Sequence, residues 1–195
     1  MSENANPITK VVTGKVRLSY AHLFTPQSSE DGKEPRYSSA LLVSKSDTAT
    51  LKAIKAAVEA VKVDPKSEKI WGKKFNASMK TPLRDGDVEK EDRPEYAGHY
   101  FFNATSASKP GIVGTQKGPN NKLLEITDPT EIYSGCYARV SVNFYAFNRK
   151  GGIGIAAGLN NVQKLEDGEP LGGGRARPDD DFGDGESPAG EDFLG

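Results

Sequence analysis

The 195-residue sequence predicts an all-β domain that carries one helix and trails an acidic tail. Three observations support this. Several short segments alternate apolar and polar residues with a period of two. One segment repeats its apolar residues at helical spacing. Beyond Leu171 the chain turns to Gly172-Gly173-Gly174, then Pro and acids, a composition that buries too little apolar surface to offset its ordering entropy.

Residues 1–9 are expected to form a disordered leader. From Lys10 to Tyr20, Val12, Val16, Leu18 and Tyr20 share one parity, and Lys15, Arg17 and Ser19 share the other, which predicts a strand with one wet face. Residues 25–35 read as a polar loop, and a second strand follows at about Tyr37–Val43. Ser46-Asp47 offers a helix N-cap, and Leu51, Ile54, Val58 and Val61 recur at helical spacing up to Pro65. Residues 65–97 read as a long loop or insertion, basic and aromatic first and acidic afterwards. In a compact domain a loop of that length is functional or mobile.

Strands return at His99–Thr105, with Phe101 expected outward and Phe102 in the core. Short candidates lie at Ile112-Val113 and Lys122–Ile126. The strands Cys136–Phe147 and Ile153–Leu159 should pair as a hairpin across Gly151-Gly152. Several short strands and one helix in a domain of this size fit an OB-fold, a five-stranded Greek-key barrel, here with insertions. The expected organisation is a leader over 1–9, the barrel over 10–173 and a flexible acidic tail over 174–195.

Composition narrows the function. No apolar run is long enough to span a bilayer. Met1–Lys10 has no apolar core or cleavage signature, which makes the cytoplasm the expected location, that of the host cell if the protein is phage-encoded. Without export, the glycosylation patterns at Asn76 and Asn103 have no meaning. Cys136 is the only cysteine, so no internal disulfide forms. The net charge of −1 hides an asymmetry: residues 179–195 hold seven acids and no bases, leaving residues 1–178 with 26 bases against 20 acids, a net of +6. A basic body joined to an acidic tail suits a polyanion binder with a tethered polyanion mimic, although a soluble domain with a solvating tail has the same composition.

The strand 136–147 is the most informative segment. One parity, Cys136, Ala138, Val140, Val142, Phe144 and Ala146, is small or apolar and belongs in a core. The other parity runs Tyr137, Arg139, Ser141, Asn143, Tyr145 and Phe147, with Arg149 and Lys150 following at the turn. Unpaired bases expose their π-faces, so rings on a strand offer stacking platforms and nearby cations offer phosphate contacts. The same rings could instead pack under a loop or against a second copy in a homo-oligomer. Lys15 and Arg17 extend the basic face. In the insertion, Trp71, Lys73, Lys74, Lys80 and Arg84 suggest a clamp over a nucleic-acid backbone, or else Trp71 anchors the insertion among solvated lysines.

Enzyme chemistry has little support. His22, His99 and Cys136 lie in no metal or nucleophile spacing, and no cofactor or metal is expected. Gly152-Ile153-Gly154-Ile155-Ala156-Ala157 loosely matches a dinucleotide turn but sits within a candidate strand, with no helix to follow. The tail repeats a unit, Asp180-Asp181-Phe182 and then Glu191-Asp192-Phe193. In each, a ring follows acids and can enter an apolar pocket ringed by bases.

Five stretches carry a family resemblance: Val12–His22 (VTGKVRLSYAH), Lys80–Asp87 (KTPLRDGD), Tyr96–Ala104 (YAGHYFFNA), Tyr133–Asn148 (YSGCYARVSVNFYAFN) and Gly154–Gly173 (GIAAGLNNVQKLEDGEPLGG). The chain resembles a family of phage-encoded single-stranded-DNA-binding proteins with an OB-fold. The resemblance implies a non-enzymatic role in phage DNA replication or recombination, with single-stranded DNA as ligand; Phe182 and Phe193 of the tail are expected to anchor replication partners such as a polymerase or helicase. Many proteins of that class end on an aromatic residue, whereas here Leu194 and Gly195 follow Phe193. An RNA-binding barrel and a structural or assembly protein are the competing readings; contacts to the 2′-OH separate the first, and salt dependence the second.

Overall fold

Alternation along the longest strands puts one apolar face inside, and strand pairing closes the sheet around it. The computed structural model describes residues 8–28 and 33–171. They form β1 (Lys10–Val12), β2 (Val16–Gln27), β3 (Arg36–Ser44), α1 (Thr48–Val63), α2 (Pro65–Trp71), β4 (Arg84–Asp85), α3 (Gly86–Glu89), β5 (His99–Ser106), β6 (Gly111–Lys117), β7 (Leu123–Glu125), β8 (Tyr137–Arg149) and β9 (Gly152–Glu166). Strand order is β1-β8-β2-β3-β5-β9-β6-β7, and β8 also pairs with β9. The strands β8, β2, β3, β5 and β9 therefore form a closed ring of five, the predicted barrel, with β1, β4 and the β6–β7 hairpin added to its rims. Among the named strands of the described residues, the β5–β9 and β6–β9 pairings are parallel and the rest antiparallel.

The core parity of β8 is as expected: Cys136, Ala138, Val140 and Val142 are fully buried, and Phe144 and Ala146 nearly so. Phe102 packs on Phe144 with ring centroids 5.6 Å apart. Helix α1 starts at Asp47, whose side chain accepts from the Thr50 N–H (3.1 Å), and its stripe of Leu51, Ile54, Val58 and Val61 is buried on the barrel. Each such side chain contributes about 1.5–3 kcal/mol of transfer free energy.

Four expectations need correction. First, the predicted strand 10–20 breaks at Thr13–Lys15, where the Gly14 N–H donates to Thr50 Oγ1 (2.9 Å), and β2 continues through residues 25–27. Second, a register shift follows between Ser19 and His22. The break and the shift change the parity, so Val11 and Ser19 are buried while Val12 and Tyr20 are exposed. Third, residues 65–97 are not a plain loop. Asp64 caps α2, Pro65 occupies its first turn, and Gly72 ends it at φ 71°. The acidic half forms β4, α3 and a single 3-10 turn at Pro94–Tyr96, so α1 is the longest of several helices. Fourth, β9 extends seven residues past Leu159 to Glu166.

Candidate nucleic-acid interface

On the outer face of β8, alternation places Tyr145, Phe147 and Arg149 in a row beside the β8–β9 turn. The Arg149 guanidinium lies 5.6 Å over the Phe147 ring and donates to the Tyr145 hydroxyl (3.4 Å). Phe147, Arg149 and Lys150 line a cleft of about 590 Å³ together with Lys33 and Glu34 of the β2–β3 connection and Arg36 at the start of β3. A second cleft, of about 330 Å³, lies between the outer face of β3 and β5 and the insertion, lined by Tyr20, Asn103, Arg84 and Lys90. Ser38 and Thr105 line both clefts, which makes them one continuous groove across the strands. Among the described residues, six bases and one carboxylate, Glu34, line it. Small residues floor the β9 stretch: Ala156 and Gly158 face outward, and the Tyr145 ring stands 3.5 Å from where a Cβ on Gly158 would lie.

The predicted site residues separate into groups. Phe147, Arg149, Lys150 and Arg84 line the groove, and Tyr145 adjoins it. Arg84 forms an ion pair with Glu89 and lies 5.0 Å over the Phe101 ring. Lys80 pairs with Gly154 beside the groove's turn and donates to the Gly151 carbonyl (3.1 Å). Lys73 and Lys74 stand exposed after α2. Asn143 lies two residues before Tyr145 on the same face, opposite Lys10 of β1. Arg139 lies farther along β8, over a separate cleft with Val12 and Leu123, and donates weakly to the Thr13 carbonyl (3.4 Å).

The opposite end of β8 is a clasp. Tyr137 lies eight residues from Tyr145, roughly 26 Å along a strand. Lys15 and Arg17 lie 5.4 and 5.6 Å over its ring. Lys15 pairs with Glu166 (2.9 Å), and Arg17 donates to the carbonyls of Gly135 (3.1 Å) and Glu169 (2.7 Å). These contacts, with the Leu171 N–H on the Ser134 carbonyl (2.8 Å), pin the end of the described chain against β2 and β8. Gly135, at φ 118°, is required there because a Cβ would lie 2.1 Å from the Glu169 carbonyl oxygen.

Two of the predicted site residues are buried, and for Trp71 the anchoring alternative is the one that fits. Trp71 is 4% exposed, and its indole N–H donates to the Gly154 carbonyl (3.0 Å), so it anchors the insertion to the barrel. Phe101 does point away from the barrel interior, but it is 2% exposed, because Tyr96 covers it edge-on at 5.0 Å. Sequence reasoning missed Tyr20, Arg36 and Lys90 in the groove, and Arg93 behind Tyr20. Arg93 lies 5.4 Å over the Tyr20 ring and donates to its hydroxyl. The tail residues Asp180, Asp181, Phe182, Asp192 and Phe193 lie outside the described residues.

Comparison with known proteins gives one consistent answer. A family described as Enterobacter phage Enc34, ssDNA-binding protein, matches residues 9–194. The putative protein p50 of Acyrthosiphon pisum secondary endosymbiont phage 1 is 31% identical over 179 residues, covering 90% of this chain and 93% of p50. The fold is similar to the single-stranded DNA-binding protein from bacteriophage Enc34 solved in complex with ssDNA, with a TM-score of 0.71 and 33% identity over 84% of this chain and 90% of that one. The single-stranded DNA-binding protein gp2.5 of bacteriophage T7 shares the fold at a TM-score of 0.56 and 15% identity, over 93% of this chain and 97% of that one.

Proposed function

The chain belongs to the family of the ssDNA-binding protein of Enterobacter phage Enc34, and from that premise we propose that it is a non-catalytic, sequence-tolerant binder of single-stranded DNA. The observation that carries this reading is the continuous groove from Phe147 and Arg149, with Tyr145 beside them, across Thr105 and Ser38 to Arg84 and Lys90. Rings in the groove offer faces to unpaired bases, and its cations neutralise phosphates. A duplex keeps its bases stacked inside and makes no use of such rings. Lys80 extends the positive path beside the β8–β9 turn, and Lys73 and Lys74 add exposed charge after α2. Lys15, Arg17 and Tyr137 serve the clasp instead, and Arg139 lies beyond the groove.

The finer role is replication or recombination of phage DNA in the host cytoplasm. The tail over 174–195 recruits replication proteins such as a polymerase or helicase through Phe182 and Phe193, and its carboxylates compete with DNA for the basic groove. Fluorescence titration with labelled single-stranded DNA, matched duplex and RNA tests the reading. Preference for the DNA single strand, weakening steeply with salt, is the expected result. Equal affinity for the duplex contradicts it, tighter RNA binding reassigns the ligand, and salt-insensitive or absent binding favours an assembly role.

A further inference from the structure

Tyr20 has the wrong backbone for its side chain. Its φ is 47°, in the left-handed region that bulky residues rarely occupy. Only one other non-glycine residue among those described, Asn121, shares a positive φ. The backbone of the flanking residues is tied down on both sides: the Ala21 N–H donates to Ser134 Oγ (3.0 Å), and Ser39 Oγ donates to the Ser19 carbonyl (3.2 Å). The result is a ring lifted out of the core parity of β2. Leu18 is fully buried, whereas Tyr20 is 47% exposed and walls the end of the groove opposite Phe147. Strain of this kind persists where surrounding structure over-determines it, and it concentrates at ligand sites.

Resting on the single-strand reading above, we propose that Tyr20 is a second base-stacking platform, set at the insertion end of the groove. The Arg93 guanidinium holds the hydroxyl end of its ring. The exposed remainder borders the cleft that holds Asn103 and Lys90. A base seated in that cleft stacks on Tyr20 beside the Asn103 side chain, and Arg93 and Lys90 meet the flanking phosphates. The strand thus has an aromatic contact at each end of the groove, with the small residues of β9 and β5 between them.

The test compares Tyr20→Phe, Tyr20→Gly and Tyr20→Asn with wild type and Tyr145→Ala, measuring affinity for a labelled single strand and the melting temperature. Glycine and asparagine both tolerate the left-handed region but offer no ring. Tyr20→Phe should bind within about twofold of wild type, because the ring face survives. The other two should lose roughly five- to 150-fold in affinity, the span of one stacked base, with the melting temperature held or raised. Wild-type affinity in Tyr20→Gly or Tyr20→Asn overturns the proposal, and so does a loss shared by Tyr20→Phe or a collapse of the fold in both ringless variants. If Tyr145→Ala still weakens binding in that case, the single-strand reading stands and only the second platform falls. If wild type shows no preference for the single strand, the parent reading itself has failed.

Discussion

At the residue scale, position on a strand decides whether an aromatic ring is a platform or a strut. Tyr145 is half-buried on the outer face of β8, and its hydroxyl accepts from Arg149. Tyr145→Ala should cost about 1–3 kcal/mol of single-strand binding while leaving the melting temperature near wild type. Phe101→Ala should do the reverse: the ring lies under Tyr96, so its loss should cost about 3–5 kcal/mol of stability, measured by denaturant unfolding. Arg149→Ala should flatten the salt dependence of binding by about 0.7 of a log unit per log unit of salt, the share of one phosphate contact on a single strand. Arg139→Ala, over its separate cleft, should leave that slope nearly unchanged. The inward and outward rows of β8 are legible from period-two alternation because the strand is long and unbroken. Trp71 is not legible in the same way. Its partner, the Gly154 carbonyl, lies 83 residues away, and no local pattern encodes it. Tyr20 escapes because a bulge changes its parity, and apolar alternation carries no mark of a register shift.

At the element scale, the insertion between α1 and β5 is what converts an open sheet face into a groove. Its acidic half is held by Lys45, which reaches Asp85 and Asp87 at 2.7 Å each. The Lys45 ammonium, followed by the Gly98 N–H, holds the Asp87 carboxyl below its ordinary range. Asp85, then Asp87, in turn raise Lys45. A lowered carboxyl contributes stability that is complete above its unfolded value, about 3.9, and lost as pH falls through the folded one. A raised lysine contributes stability that is complete below about 10.4 and lost as pH rises through its folded value. The pair is therefore fully effective between about pH 4 and 10 and fails first in acid. Wild-type protein should lose melting temperature between pH 7 and pH 3, and Asp87→Asn, which carries no titrating charge at that contact, should lose less. The sequence places this insertion and its division into basic and acidic halves. It does not reveal that the acidic half covers Phe101, because α3 and β4 are too short to announce themselves and owe their geometry to Lys45 and β5. Among the barrel strands β8 is the most legible, since it alternates over enough residues to show its two faces, whereas β2 shifts register after Ser19.

At the scale of the whole molecule, a basic groove and seven carboxylates share one chain. The clasp of Lys15, Arg17 and Tyr137 fixes where residues 166–171 run, so whatever follows Leu171 starts from a set point on β2 and β8. A tethered segment acts at an effective concentration on the order of millimolar, enough for weak docking to compete with DNA. Truncation after Gly174 should tighten single-strand binding, most at low salt where exposed charges are least screened, and should impair a reconstituted replication reaction by removing Phe182 and Phe193. Unchanged affinity at low salt would leave the tail a solubilising role only. The central claim, that unpaired bases lie along the groove past Tyr145 and Phe147, is tested most directly by photocrosslinking the full-length protein to a single strand carrying 5-iodouracil and mapping the modified peptides. Adducts on Tyr145 or Phe147 that a matched duplex fails to give are the predicted result; adducts confined to Tyr133 and Tyr137, or formed equally with the duplex, would contradict it.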